Sequence, residues 1–434
     1  MTVALALLTT ACAEPHGYVD AEVRFEVADS AGIELVRNGL HGPWGPDPAT
    51  VREVLRIGVV EGAEPYQFSR ISDVEIDPDG RILVGNGHTT TVRVFDPEGR
   101  FLREFGGSGD GPGEFIMVNR VVATDGDVTV IDWQGEGRST RFSLEGRVLA
   151  TARHTGPDGR RVTPSFWTPA GWYGSVSVPG GDREPLPEGT PVMTPRTLHL
   201  MGQGAGEVVP GSEVDLPPAI GLYATAARGG TGRDWGLVSV ARPTGVDRAG
   251  HWIVAGGIPY RIEVFAPDGV PIRHITRDYD PVPLDLEEEV EAHLALAEAA
   301  YLSDDFPMGP EQGRSQFEQY RERVAVQARF PVPDHRPPAR SLLVSPEGSF
   351  WVERVDHIPA ARLAVELTLP FATERLEPLP SLWDVFDAGG RLLGQAELPP
   401  RFTPFRLRGD RVWGVLEDDM GVEYVVALEV QAPA

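Results

Sequence analysis

The sequence predicts an all-β fold: a ring of six four-stranded antiparallel sheets, closed when an N-terminal strand completes the last sheet. Three observations carry this expectation. A unit of four short apolar runs joined by Asp/Pro/Gly turns recurs along the chain. Its turn glycines recur in pairs, 19 residues apart for Gly80 and Gly99 and for Gly250 and Gly269, and 20 apart for Gly126 and Gly146. The sixth unit lacks a fourth strand, and a segment near the N-terminus has the pattern of one.

The first unit is the clearest: DVEIDPDGRILVGNGHTTTVRVFDPEGRFLREFG, residues 73–106. Strands at 74–76 and 82–84 flank one Asp-Pro-Asp-Gly turn, and strands at 92–95 and 101–105 flank an Asp-Pro-Glu-Gly turn. Glycine there accepts the positive φ that such hairpins demand. Unit two carries its turns at Asp125-Gly126 and in RFSLEGR (141–147). A weaker unit three is marked by WTPAGWYGSV (167–176) and LHLMGQGAGEVV (198–209). Unit four contains VDRAGHWIV (246–254) and VFAPDGV (264–270), and unit five runs from VSPEGSFWV (344–352) to VFDAGGR (385–391). Unit six is FRLRGDRVWGVL (405–416) with VEYVVALEV (422–430). The N-terminal VLRIGVVEGAEPYQF (54–68) aligns with FLREFGGSGDGPGEF (101–115), a fourth strand followed by an acidic Gly-containing loop, Pro and Phe. Closure of this kind leaves only short, protected sheet edges.

On these residues the unit resembles the NHL-type β-propeller repeat, with FGGSGDGPGEF (105–115) as the inter-blade connector, and the chain resembles bacterial six-bladed propeller lipoproteins. The similarity covers roughly residues 33–430. It implies a six-bladed β-propeller whose N-terminal strand closes the last blade. It implies no single function, since such rings serve as binding scaffolds, lyases and lactonases alike.

Strand parity sorts the loops. The turns joining strands one–two and three–four share one face, and the two–three loops and inter-blade connectors share the other. The long segments 106–114, 179–195, 210–234, 279–340 and 358–380 fall on the connector face, which is therefore the expected site face. The largest insertion, about 281–339 between blades 4 and 5, reads as two helices. Asp285 with Glu288, and Ser315 with Glu318, have capping-box spacing. Val290, Leu294, Ala297 and Tyr301 mark one apolar face, and Phe317, Tyr320, Val324 and Ala328 the other. The pair would serve either as a lid over the ring's mouth or as a packed ornament on a blade.

Composition bounds the partners. All 39 basic residues are Arg, against 64 Asp+Glu, for a formal net charge of -25. Without Lys there is no Schiff base, P-loop lysine or Ser–Lys dyad. The acidic balance excludes nucleic-acid binding, which needs a basic face. The one cysteine, Cys12, follows the apolar run 3–8 and Thr9-Thr10-Ala11. This resembles the end of a lipoprotein signal, with residues 1–12 as the signal-like segment and 13–434 as a single propeller domain. The expected location is extracytoplasmic, in the periplasm or at the cell surface, with membrane contact only through lipid on Cys12.

No nucleophile elbow, HExxH or EF-hand loop is present. The polar residues on two–three loops are the remaining candidates. His88, Asp132, Trp133, Tyr260 and His357 would line a ligand site, and Asn86, Glu353 and Asp356 would hold a divalent metal if these loops converge. The alternative is that they are solvated or turn-capping residues. Most Trp residues, and the Arg residues alternating with apolar ones in strands (Arg93, Arg103, Arg141), read as inter-blade core and solvated sheet faces respectively. The expected role is a monomeric binding or scaffold protein for a protein, peptide or carbohydrate. The alternative is a metal-dependent lactonase- or lyase-like enzyme.

Overall fold

A computed structural model describes residues 16–19, 24–124, 126–134, 137–155, 160–176, 191–201, 208–227, 230–303, 306–368 and 376–432. Cys12 and the signal-like segment lie outside the described residues, as does most of segment 179–195.

The chain folds as a six-bladed β-propeller. Blade 1 consists of Ile71–Ile76, Ile82–Asn86, Thr91–Phe95 and Phe101–Gly106. Blade 2 consists of Arg120–Ala123, Asp127–Asp132, Arg138–Ser143 and Val148–Arg153. Blade 5 consists of Ala339–Val344, Phe350–Arg354, Ser381–Phe386 and Leu392–Leu398. Blade 6 uses Phe402–Arg408, Arg411–Glu417 and Glu423–Gln431, then takes its fourth strand, Thr50–Ile57, from the N-terminal side. That strand runs antiparallel to the third, pairing Ile57 with Val425 and Thr50 with Gln431. The turn glycines Gly80, Gly99, Gly126, Gly146, Gly250 and Gly269 all have φ between 81° and 97°, as the 19–20-residue spacing requires.

Blades 3 and 4 are larger than four strands. Blade 3 consists of Val162–Thr168, Gly171–Val176, Pro191–Met201 and Val208–Ala227, with a fifth strand, Gly230–Val240. Segment 210–234, expected as a loop, is thus mostly a long hairpin. Prolines at 195, 210, 217 and 218 argue against a strand because they donate nothing to the ladder. The sheet accommodates one of them by a register shift between Thr194 and Arg196, around Pro195.

Blade 4 consists of Thr244–Val246, Trp252–Ala255, Arg261–Phe265 and Pro271–Arg277. Three N-terminal strands extend it outward: Ile33–Asn38, parallel to Pro271–Arg277, then Arg24–Ser30 and His16–Val19. Between these strands and the blade 6 strand, the chain crosses the edge of blade 5. Trp44 N donates to Leu393 O (2.9 Å) and Ala49 N to Gln395 O (2.7 Å). The N-terminal segment therefore ties three blades together rather than one.

The insertion between blades 4 and 5 forms α1 (Leu286–Tyr301) and α2 (Pro310–Gln327), and α3 (Ala360–Thr368) lies in the two–three loop of blade 5. Asp285 caps α1, accepting from Glu287 N and Glu288 N. Ser315 caps nothing: α2 starts earlier, at Gly309-Pro310, because proline favours the first helical position. Ala297, Tyr301, Tyr320 and Val324 are buried around Leu237 of blade 3, with Val290, Leu294 and Phe317 packed at the edge of that cluster. Buried Glu289 joins the parts, accepting from Arg336 Nε (3.0 Å) and Ala361 N (2.9 Å). The helices thus bridge blades 3 and 5 on the connector face.

Apolar faces of neighbouring blades interlock around the ring. Trp172, Trp252, Trp351 and Trp413 are buried there, as expected. Arg93 departs from the solvated-face reading. It is buried, pairs with Glu104 (2.6 Å), and donates to Gln67 O (2.6 Å), because its blade face lies under the 64–68 loop.

Candidate functional site

The six innermost strands enclose the ring axis, and between them lies a cavity of about 740 Å³. Its lining comes from the second halves of these strands and the turns that follow: Glu75 and Pro78, Val122 to Thr124, Phe166 to Pro169, Val246 to Arg248, and Leu407 and Arg408. The cavity therefore opens on the hairpin-turn face, opposite the connector face where a site was expected. Short turns leave the axis uncovered, whereas the helices of 286–327 and 360–368 on the other face pack over blades 3 and 5.

The wall is mixed in character. Phe166, Trp167, Leu342, Val344 and Phe405 supply apolar and aromatic surface. Arg120, Arg248, Arg406 and Arg408 supply cations, against the carboxylates of Glu75 and Asp247. Four positive and two negative charges leave the lining at about +2, in a chain whose net charge is -25. Asp73 stands behind Arg406 and reduces the local balance to about +1.

A polar belt crosses the strands at this level. Arg406 Nε donates to Glu75 (3.0 Å), and its Nη2 to Asp73 (3.0 Å) and Val121 O (3.3 Å). Arg408 donates to Glu75 (3.1 Å) and Ile76 O (2.7 Å). Arg120 reaches Ser165 O of blade 3. Arginines of blades 6 and 2 thereby join blades 6, 1, 2 and 3. Burial raises Asp73 above the usual carboxylate range, against the pull of Arg406. Burial also works against the Arg406 charge, but Asp73 and Glu75 outweigh it and the pKa is raised. Arg120 is lowered, by burial first and then by the like charge of Arg406. Among the described residues no carboxylate forms an ion pair with Arg120 or Arg248.

The residues singled out from sequence lie elsewhere. Asn86 is buried and accepts from the backbone N of His88 (3.2 Å), a turn cap, and His88 itself is exposed. Asp132 is fully buried, accepting from Ile116 N (2.8 Å) and Arg138 (3.2 Å). Glu353 is held by Arg340 (2.6 Å) and Asp356 by Arg354 (2.5 Å), while His357 is exposed. Among the described residues no group of three or more His, Cys, Asp or Glu is arranged to hold a metal ion. Of the expected metal set, Asn86 caps a turn while Glu353 and Asp356 are each paired with an arginine. Tyr260 is buried between blades 4 and 5, where burial and then the Asp384 carboxylate push its hydroxyl well above its usual range. It offers no ligand surface. Trp133 remains exposed, at 42 %, on the connector face.

The missed residues left a signal. In DVEI, RVVA and FRLR, charged side chains interrupt the first strand of blades 1, 2 and 6. First strands line the axis, so a charge there points to the channel or its walls, not to open solvent.

A family model described as a six-bladed beta-propeller matches residues 60–154. No curated protein matches the chain. Among solved structures, a protein of Bacteroides fragilis NCTC 9343 titled as exported aligns over 92% of this chain and 99% of its own, at 10% identity and a TM-score of 0.43. A member of the duf4221 family from Bacteroides vulgatus aligns over 89% and 100%, at 9% identity and TM-score 0.43. Virginiamycin B lyase from Staphylococcus aureus aligns over 88% and 99%, at 8% identity and TM-score 0.38. These are resemblances of fold.

Proposed function

We propose that this chain is an extracytoplasmic binding protein, tethered by lipid on Cys12, that holds a small ligand in its central channel. The observation that carries the reading is the cavity of about 740 Å³ on the ring axis, lined from all six blades by aromatic and aliphatic side chains with a few convergent arginines. Ligand sites have this size and character. The tether rests on the position of the only cysteine, behind a short apolar run.

Native mass spectrometry of the detergent-extracted protein tests the channel, with wild type beside a Thr124→Trp variant that fills the wall. A small-molecule mass retained by wild type and lost from the variant supports the reading, and identical spectra refute it. The tether is tested by Cys12→Ser, which should move the protein from the membrane fraction to the soluble one. Unchanged membrane partitioning refutes that part.

A further inference from the structure

The channel's charge pattern narrows the ligand class, and the narrowing rests on the channel-binding reading above. Asp73 and Glu75 are both engaged by Arg406, and Glu75 also by Arg408. Asp247 is engaged by His251 (2.9 Å). The wall carboxylates therefore offer little to a cation. Arg120 is different: its guanidinium donates to a carbonyl, Ser165 O, and among the described residues no carboxylate lies within ion-pair distance, Asp73 and Glu75 acting on it only from farther off. It is the first residue of the strand Arg120–Ala123, while Thr124 starts the turn. Arg120 therefore lies about 10 Å below the turn face. Arg248 stands exposed in the turn after Thr244–Val246, at the rim. Between floor and rim lie Phe166, Trp167, Leu342 and Val344.

We infer that the channel takes an amphipathic organic acid, with its anionic group on Arg120 at the floor, its apolar body against Phe166, Trp167 and Leu342, and Arg248 guiding it in at the rim. Arg120 is partly buried and feels Asp73 and Glu75 only at a distance, since both are hydrogen-bonded to Arg406, so a ligand carboxylate would give it a direct partner through charge-assisted hydrogen bonds. The strongly acidic exterior repels anions in general, so a local positive funnel at one mouth gives direction as well as affinity.

Isothermal titration calorimetry on the full chain tests this with acid–alcohol pairs of equal body: 2-naphthoate and 2-naphthylmethanol, octanoate and 1-octanol, 4-phenylbutyrate and 4-phenylbutanol. Each acid that binds should bind about 10- to 100-fold tighter than its alcohol, and raising salt should weaken the acids alone. Arg120→Gln should abolish the preference. Arg248→Glu, at the exposed rim where folding is not at stake, should weaken acids and leave alcohols unchanged. Alcohols binding as tightly as acids, or a preference that survives both substitutions, overturns the organic-acid class while channel binding stands. Binding of every compound unchanged by Thr124→Trp, or no binding by any compound at millimolar concentration, overturns both.

Discussion

Substituting Asn38 by Ala should destabilise the whole ring, because this one side chain joins the N-terminal segment to two blades. Asn38 is 3 % exposed at the end of Ile33–Asn38. Its Nδ2 donates to Thr276 O of blade 4 (3.1 Å) and to Gly390 O of blade 5 (3.0 Å). Its Oδ1 accepts from Leu392 N of blade 5 (2.8 Å). Alanine removes all three bonds and cannot replace any of them. Leaving the buried Leu392 N–H without this partner costs about 1–3 kcal/mol, and each lost donor to a carbonyl about 0.5–1.5 kcal/mol. The total is about 2–6 kcal/mol.

The unfolding entropy of 434 residues, at about 2.1 cal/mol/K each, is about 0.9 kcal/mol/K. The expected fall in melting temperature is therefore about 2–7 °C by calorimetry, with faster amide exchange at Leu392. Asn38→Asp keeps the acceptor but sets a carboxylate against two carbonyl oxygens. That raises its folded pKa, so the variant should be least stable at neutral pH and recover as the pH falls from that raised pKa towards about 4, with no further gain below. A melting temperature for Asn38→Ala within about 1 °C of wild type, with unchanged exchange at Leu392, would refute the claim that Asn38 couples the blades.

Three further outcomes follow from the packing of α1, α2 and the polar belt. Burial lowers His293, which meets Tyr320 Oη at 3.2 Å, from 6.5 to about 4 despite nearby Glu289. A depressed histidine favours folding above pH 6.5, so about 3 kcal/mol should be lost between pH 6.5 and 4, read as rising hydrogen exchange in α1 and α2 and absent in His293→Leu. At neutral pH the same helices should exchange as slowly as the blades, since they share a buried cluster with Leu237, and fast exchange would restore the mobile-lid reading. Arg406→Leu should cost about 3–5 kcal/mol by leaving Asp73 without an arginine and Glu75 with Arg408 alone, and adding Asp73→Asn should recover most of it in denaturant titrations; a mild single variant would refute a charge role for the belt.

The ring was legible because its signals are local. Each Asp/Pro/Gly turn needs a positive-φ residue at one position, and an alignment of 54–68 with 101–115 sufficed to find the closing strand. The additions to blades 3 and 4 were not legible. Strand 33–38 pairs with 271–277 across more than two hundred residues, and nothing local distinguishes it from a loop flank. The residues expected at a site lie apart from the cavity for a related reason. Asn86, Asp132 and Glu353 carry the residue types of a site, but a neighbouring backbone N–H or arginine satisfies each. Composition names such groups without saying whether they are already paired.

That distinction explains why the long segments are a poor guide to the site in this molecule. A propeller's connector face must carry every crossing between blades, so insertions accumulate there, and each exposes apolar surface that has to be covered. Here α1, α2 and α3 cover one another and Leu237, and Glu289 satisfies both Arg336 and the backbone of α3. Among the described residues these helices therefore share their apolar surface with one another and with blade 3. On the other face, turns such as the one from Asp77 to Gly80 close on their own backbone, with Gly80 N donating to Asp77 O at 3.0 Å. They need nothing from the axis and cannot reach across it. The charged first-strand residues below them are left to line open space, and among the described residues Arg120 has no carboxylate within ion-pair distance, because the nearby Asp73 and Glu75 are taken up by Arg406.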